Sequence, residues 1–348
     1  MQRRALLLMT WLSALLALAP APASAQPAGP QLAPASTATL AVRGVQGTAK
    51  GAPVKGDVIE LHLFQGNQIA HRFDAVLDDN GLAMFNAIPL ATPLRPLVRI
   101  MHAGVVYQEV GPLLEPTKPT ASMDVAVYDT KLDKPAWEIA LRSLMAWPDA
   151  QQVSVSEILV VESPADYTWL GGDLDERDQR TTVSVSLPTG ARDVNLDEGF
   201  HGWCCTKFDG SLLEIQMPLM PGRAAFRYSY KLPVNAGSTE LEVAGPVLTR
   251  VVEFQVPETV ADVRTHAVTA AGMKADDQGA LRVFESENQP PNERCGVVLA
   301  GLISELPPMA PAHQPNLGMR IGAGVGLALV LAVLLYVLFA RKPKPRRT

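Results

Sequence analysis

The chain has 348 residues, room for two ordinary domains; its 47% apolar content permits real cores, and its 6% aromatic content advertises no aromatic-rich ligand surface. The formal charge is −5, but residues 1–25 hold +2 and residues 320–348 hold +6, with no acid in either, so residues 26–319 carry −13. That balance excludes nucleic acid as a partner of the central region, because phosphate binding has no basic patch to work with.

The N-terminus reads as an export signal. Arg3 and Arg4 precede an apolar run over 5–19, and Ala23-Ser24-Ala25 is an A-x-A cleavage site, so the mature chain is expected to begin near Gln26. Residues 26–36 are Pro/Ala-rich and read as a flexible or polyproline leader.

Residues 37–128 form the first expected unit. Short alternating runs, bounded by Gly, Pro, Asn and Asp, read as antiparallel β-structure. Residues 57–64 alternate, Gly66-Asn67 is a turn, and 69–77 is the next strand. Asp78-Asp79-Asn80-Gly81 reads as a hairpin, since Asn-Gly accepts the positive φ such turns require. Segments 97–102 and 105–110 flank Gly104 as another hairpin, and 123–128 closes the unit. His62 and His102 fall in strand patterns and read as ordinary strand residues.

The stretch from Leu77 to Pro89 carries a resemblance. An Asp-x-x-Gly turn leads into an aromatic strand and then Ile-Pro, with Asp78, Gly81, Phe85, Ile88 and Pro89 in place and Leu77 where a Thr is usual. It resembles the signature of carboxypeptidase regulatory-like (transthyretin-like, Cna-B-like) domains. The resemblance implies a prealbumin-like sandwich and a non-catalytic accessory module. The whole layout resembles bacterial membrane-anchored proteins that pair this module with a β-rich region, which assigns no activity.

Residues 129–136 read as a polar link. Residues 137–306 form a larger β-rich domain, one sandwich or two small fused ones, with alternating or apolar runs at 138–147, 153–161, 181–187, 212–217, 224–232, 240–243, 249–256, 281–285 and 297–304.

The candidate chemistry lies in this larger domain. Three cysteines occur, Cys204, Cys205 and Cys295. A bridge from Cys295 to Cys204 or Cys205 would close a loop of about 90 residues, worth about 4–5 kcal/mol in the chain-entropy model. Free thiols are the alternative. A third reading is a metal site: His201, Cys204 and Cys205 put imidazole and two thiols close together, with Met217 and Met220 following, ligand types that suit copper. Neighbouring cysteines point to opposite faces of a strand, so both could join His201 only if the segment is a loop. Asp173-Leu-Asp175-Glu-Arg-Asp178 resembles half a calcium loop but lacks the Gly that such loops need, and reads as a solvated acidic loop. No nucleophile elbow, H-E-x-x-H or phosphate-binding glycine loop occurs, so neither catalysis nor a cofactor is expected.

Residues 307–319 read as a stalk. The charge-free run 321–340, at about 1.5 Å per residue, spans roughly 30 Å, the thickness of a bilayer's hydrocarbon core. Arg320 precedes it and the basic tail 341–348 follows it, which places the C-terminus in the cytoplasm. Gly318, Gly322 and Gly326 repeat at a spacing that lets two helices approach, and predict a homodimer through the membrane helix. The expected architecture is all-β: two antiparallel β-sandwich units of immunoglobulin-like or prealbumin-like type, plus one C-terminal transmembrane α-helix (residues 320–340). The expected setting is the bacterial inner membrane, single-pass, with the ectodomain in the periplasm. The expected role is non-enzymatic binding or scaffolding of a protein or polymer ligand. A copper- or redox-handling accessory is the first alternative, and a hydrolase with a dispersed site the second.

Overall fold

The structure is a computed structural model and describes residues 36–149, 151–276 and 279–302. The expected signal peptide, leader (save Ser36), stalk, membrane helix and basic tail lie outside these residues, as do Gly318, Gly322 and Gly326. Among the described residues no helix is long and apolar enough to cross a membrane.

Seven strands build the first sandwich: β1 (Thr37–Gln46), β2 (Val58–Gln65), β3 (Gln68–Val76), β4 (Leu82–Pro89), β5 (Arg95–His102), β6 (Val105–Val110) and β7 (Thr120–Val127). One sheet has the order β4-β1-β7 and the other β3-β2-β5-β6. Period-two alternation sets the inner faces: Leu40 and Val42 from one sheet meet Leu61, Leu63, Val98 and Ile100 from the other, all fully buried. The β2–β3 and β5–β6 hairpins form as expected, the latter on Ala103 and Gly104, both at positive φ. The Asp78–Gly81 turn is not a hairpin. β3 and β4 belong to different sheets, so the turn carries the chain across the sandwich. Only Gly81 of the Asn-Gly pair takes positive φ, whereas a two-residue hairpin of the Asn-Gly kind needs both. The Asp78 carboxylate accepts from the Asn80 and Leu82 amides and fixes the bend.

The remaining strands are β8 (Thr130–Lys131), β9 (Glu138–Pro148), β10 (Gln152–Ser163), β11 (Thr168–Trp169), β12 (Val183–Ser186), β13 (Arg192–Glu198), β14 (Thr206–Phe208), β15 (Leu212–Ile215), β16 (Gly222–Pro233), β17 (Ser238–Val243), β18 (Thr249–Pro257), β19 (Asp262–His266), β20 (Thr269–Asp276), β21 (Gly279–Gln289) and β22 (Cys295–Ala300). A seven-stranded sheet, β13-β16-β10-β9-β18-β21-β20, backs onto two three-stranded sheets, β12-β15-β14 and β17-β22-β19. One continuous apolar cluster joins all three, from Trp137 through Phe254 to Leu302. Most pairing is antiparallel, as alternation leads one to expect. Among the described residues the exceptions are β1–β7, β9–β18 and β8–β11, which run parallel.

Candidate functional site

Chain positions that are remote in sequence meet where the two sandwiches join. The residues expected to be a mere polar link supply the centre. β8 pairs in parallel with β11 of the second sandwich, and the Thr168 amide donates to the Asp129 carbonyl at 2.9 Å. The Asp129 carboxylate accepts from Gln46 Nε2 at 3.0 Å and from the Ala52 amide. His102 is only 3% exposed and lies between two carboxylates: Nδ1 is 2.7 Å from Asp57, and Nε2 is 3.1 Å from Asp129. Burial works against the Asp129 charge; hydrogen bonds from His102, Ala52 and Gln46 outweigh it, so the carboxyl lies below its usual range. Thr48 links onward. Its hydroxyl accepts from the Asp129 amide and donates to the Asp166 carbonyl at 2.6 Å, while the Ala49 amide donates to the Asp166 side chain. Tyr107 completes the seam, its hydroxyl 2.6 Å from the Tyr128 carbonyl and 2.7 Å from Thr168 Oγ1. Leu170 and Met220 of the second sandwich pack against the first one's core. His102 is therefore not the ordinary strand residue that its setting implies.

A second site lies inside the larger sandwich. Glu157 is fully buried and Arg142 is 1% exposed; Arg142 Nε donates to Glu157 at 2.6 Å. Tyr228 and Tyr230 donate their hydroxyls to the same carboxylate. Burial opposes the guanidinium charge, but the Glu157 carboxylate more than offsets it and holds Arg142 protonated. Burial first, and the Glu157 charge second, push both phenols far up, so they remain donors. The other guanidinium nitrogens donate to Ala244 O at 3.0 Å and Ser186 O at 2.7 Å. Ser186 and Ala244 line a polar groove of about 680 Å³ with Thr189, Asn235, Glu240 and Arg294. The Ser186 and Ser238 hydroxyls there donate to the Ala244 and Asn235 backbone carbonyls.

The sequence-singled residues separate into two places. Cys295 is buried in β22 opposite Val243, and burial raises its thiol to about 11 despite nearby Arg142. Cys204 and Cys205 lie in a short 3-10 turn, Trp203–Cys205, with their sulfurs 3.0 Å apart. The bridge expected from Cys295 to either of them is not formed; all three cysteines are free. The segment is a turn, the condition under which both thiols could share a face, but Cys204 reaches the His201 carbonyl. Among the described residues no three His, Cys, Asp or Glu side chains gather as a metal set. Asp175 of the acidic run is already engaged. It accepts from Gln216 and from the Gln179 and Arg177 amides, and these bonds, Gln216 first, hold its carboxyl well below the usual range.

No family model matches the sequence. No curated protein matches it significantly. Among solved structures, the chain is similar to the major pilin subunit BcpA of Bacillus cereus at 10% identity, over 73% of this chain and 85% of that one, with a TM-score of 0.19. It is also similar to a DUF3823 family protein from Parabacteroides merdae at 10% identity, over 61% and 92%, TM-score 0.20, and to the Corynebacterium diphtheriae major pilin SpaA at 11% identity, over 76% and 84%, TM-score 0.20. At these scores the superpositions carry no argument, and the fold rests on its own strand order.

Proposed function

We propose that this chain is a membrane-anchored scaffold that holds two β-sandwich units in a fixed pose outside the cytoplasm and binds a polar polymer or a protein. The observation that carries the reading is the seam through Gln46, Thr48, His102, Asp129, Asp166 and Thr168. Interfaces between domains of one chain ordinarily allow relative motion. Here interlocking hydrogen bonds and a shared strand pair oppose it, and a rigid spacer is what such bonding supplies. The groove beside Ser186 offers acceptors and donors for a polar ligand. The export signal, the apolar run 321–340 and the basic tail support anchoring in a bacterial inner membrane, with the glycine repeat favouring pairing of membrane helices.

The test is expression of the full chain in a Gram-negative host, with photo-crosslinkers at Thr189 and Asn235. The expected result is an inner-membrane protein that an external protease reaches from the periplasmic side and that gives a discrete crosslinked adduct. Recovery of a cytosolic chain still starting at Met1, or steady turnover of chromogenic ester substrates by the purified chain, would overturn the proposal.

A further inference from the structure

The turn at 203–205 brings two thiols side by side, Cys204 also reaching the His201 carbonyl. Cys204 Sγ lies 3.0 Å from Cys205 Sγ, about 1 Å beyond a disulfide bond. The turn is held in place rather than loose: the Gln216 amide donates to the Cys205 carbonyl at 2.9 Å, and Gln179 Nε2 donates to the Cys204 carbonyl at 2.8 Å. Cys204 is exposed and Cys205 half-buried, so an incoming reagent meets Cys204 first. Trp203 beside them is 49% exposed. Cys295 cannot compete, because it is enclosed in the core.

We propose that Cys204 and Cys205 are a redox-active vicinal dithiol that closes to a disulfide by exchange with a small disulfide of the glutathione type. Cys204 loses its proton to solvent and its thiolate attacks one sulfur of the external disulfide, whose S–S bond breaks; the mixed disulfide forms, and the first small thiolate leaves and takes up a proton. Cys205 then loses its proton to solvent and attacks the Cys204 sulfur. The Cys204–Cys205 bond forms and the second small thiolate leaves to be protonated. Two protein thiols are oxidised to one disulfide, and one external disulfide is reduced to two thiols. The Cys205 thiol is pushed up to about 11, mainly by its hydrogen bond with Cys204 and then by burial, with the Arg177 charge acting the other way. That order suits Cys205 as the second thiol to react, since attack needs the thiolate. Adjacent residues sit about 3.8 Å apart at Cα, closer than the roughly 4.4–6.8 Å of ordinary bridges. A bridge across them is strained and easily reduced, which makes it a switch and not a staple.

The experiment uses the full chain, purified reduced and equilibrated with mixtures of reduced and oxidised glutathione, then mapped by mass. The wild type is expected to lose two hydrogens on the peptide holding 204 and 205 and to keep only a trace of adduct, with Trp203 fluorescence changing in step. C205S is expected to accumulate the mixed disulfide on Cys204 as its main species, and C295S to behave as wild type. A wild type that holds stable adduct on Cys204, that bridges Cys295 to either neighbour, or that keeps both thiols free across the whole range overturns the proposal. Wild-type mapping alone decides the matter if C205S does not fold.

Discussion

Replacing Glu157 by alanine would strip the Arg142 guanidinium of its carboxylate inside a core that encloses both. Breaking one side of such a pair costs about 3–5 kcal/mol, because the surviving charge stays buried and uncompensated. Chemical denaturation of the purified chain should therefore show E157A far less stable than wild type. R142M/E157L should recover much of the loss, since no buried charge remains, although the Tyr228 and Tyr230 hydroxyls still lack their acceptor at about 1–3 kcal/mol each. If the double variant were no better than E157A, the pair would not be the cause. Glu157 is in phase with Val153, Val155, Leu159 and Val161, so alternation turns it inward, though the run 153–161 reads in sequence simply as a core strand. His102, which reads in sequence as an ordinary strand residue, is likewise in phase with Val98 and Ile100 and turned inward. A charged or polar residue on an inward phase announces a partner, but the partner's identity comes from strands far away in sequence and could not be read.

At the scale of elements, apolar alternation found the buried strands and missed the polar ones. β10, β16 and β18 lie where their patterns placed them, because one face of each packs against the core. β13 and β19 are mostly exposed: their inward apolar residues, Val194 and Leu196 in one and Val263 in the other, only partly bury against the core, so apolar pattern marks them weakly and pairing with β16 and β22 does much of the holding. The turn after β3 shows the other limit. Its residues announce a bend, while the destination of the chain, across to β4 and not back along β3, is set by which faces must meet in the core. Two glycines separate these effects. Gly66 has φ 58° with open space where a Cβ would go, so Gly66→Ala should cost only the left-handed backbone penalty, about 1–2 kcal/mol. Gly81 has φ 70°, and a Cβ there would lie 2.7 Å from Val54 Cγ2 and 2.9 Å from the Gly44 carbonyl oxygen, a backbone atom that cannot swing aside. Gly81→Ala should lower the thermal midpoint clearly more than Gly66→Ala; equal shifts would mean that the crossing does not depend on this close approach.

For the whole molecule, the segment 129–136 reads in sequence as a spacer, and it is the place where the sandwiches are bolted together. Nothing local reveals this, because Asp129 meets Gln46, Ala52 and His102 from the first sandwich, while Thr48 reaches Asp166 in the second, more than a hundred positions on. The consequence can be measured as coupling between units. In wild type the Asp129 carboxyl has a lower pKa folded than unfolded, so its stabilising contribution is complete above the ordinary carboxylate value of about 3.9 and fades as pH falls through the lower folded value. Small-angle scattering should therefore report one fixed distance distribution from neutral pH down to about 5, broadening only on stronger acidification. Asp129→Ala removes the acceptor for Gln46 and the Ala52 amide while leaving both apolar clusters intact. It should show the broad distribution already at neutral pH, with the far-ultraviolet spectrum of strands unchanged. A variant as rigid as wild type would mean that Leu170, Met220 and the β8–β11 pair fix the pose without the polar seam, and the stiffness would then come from packing.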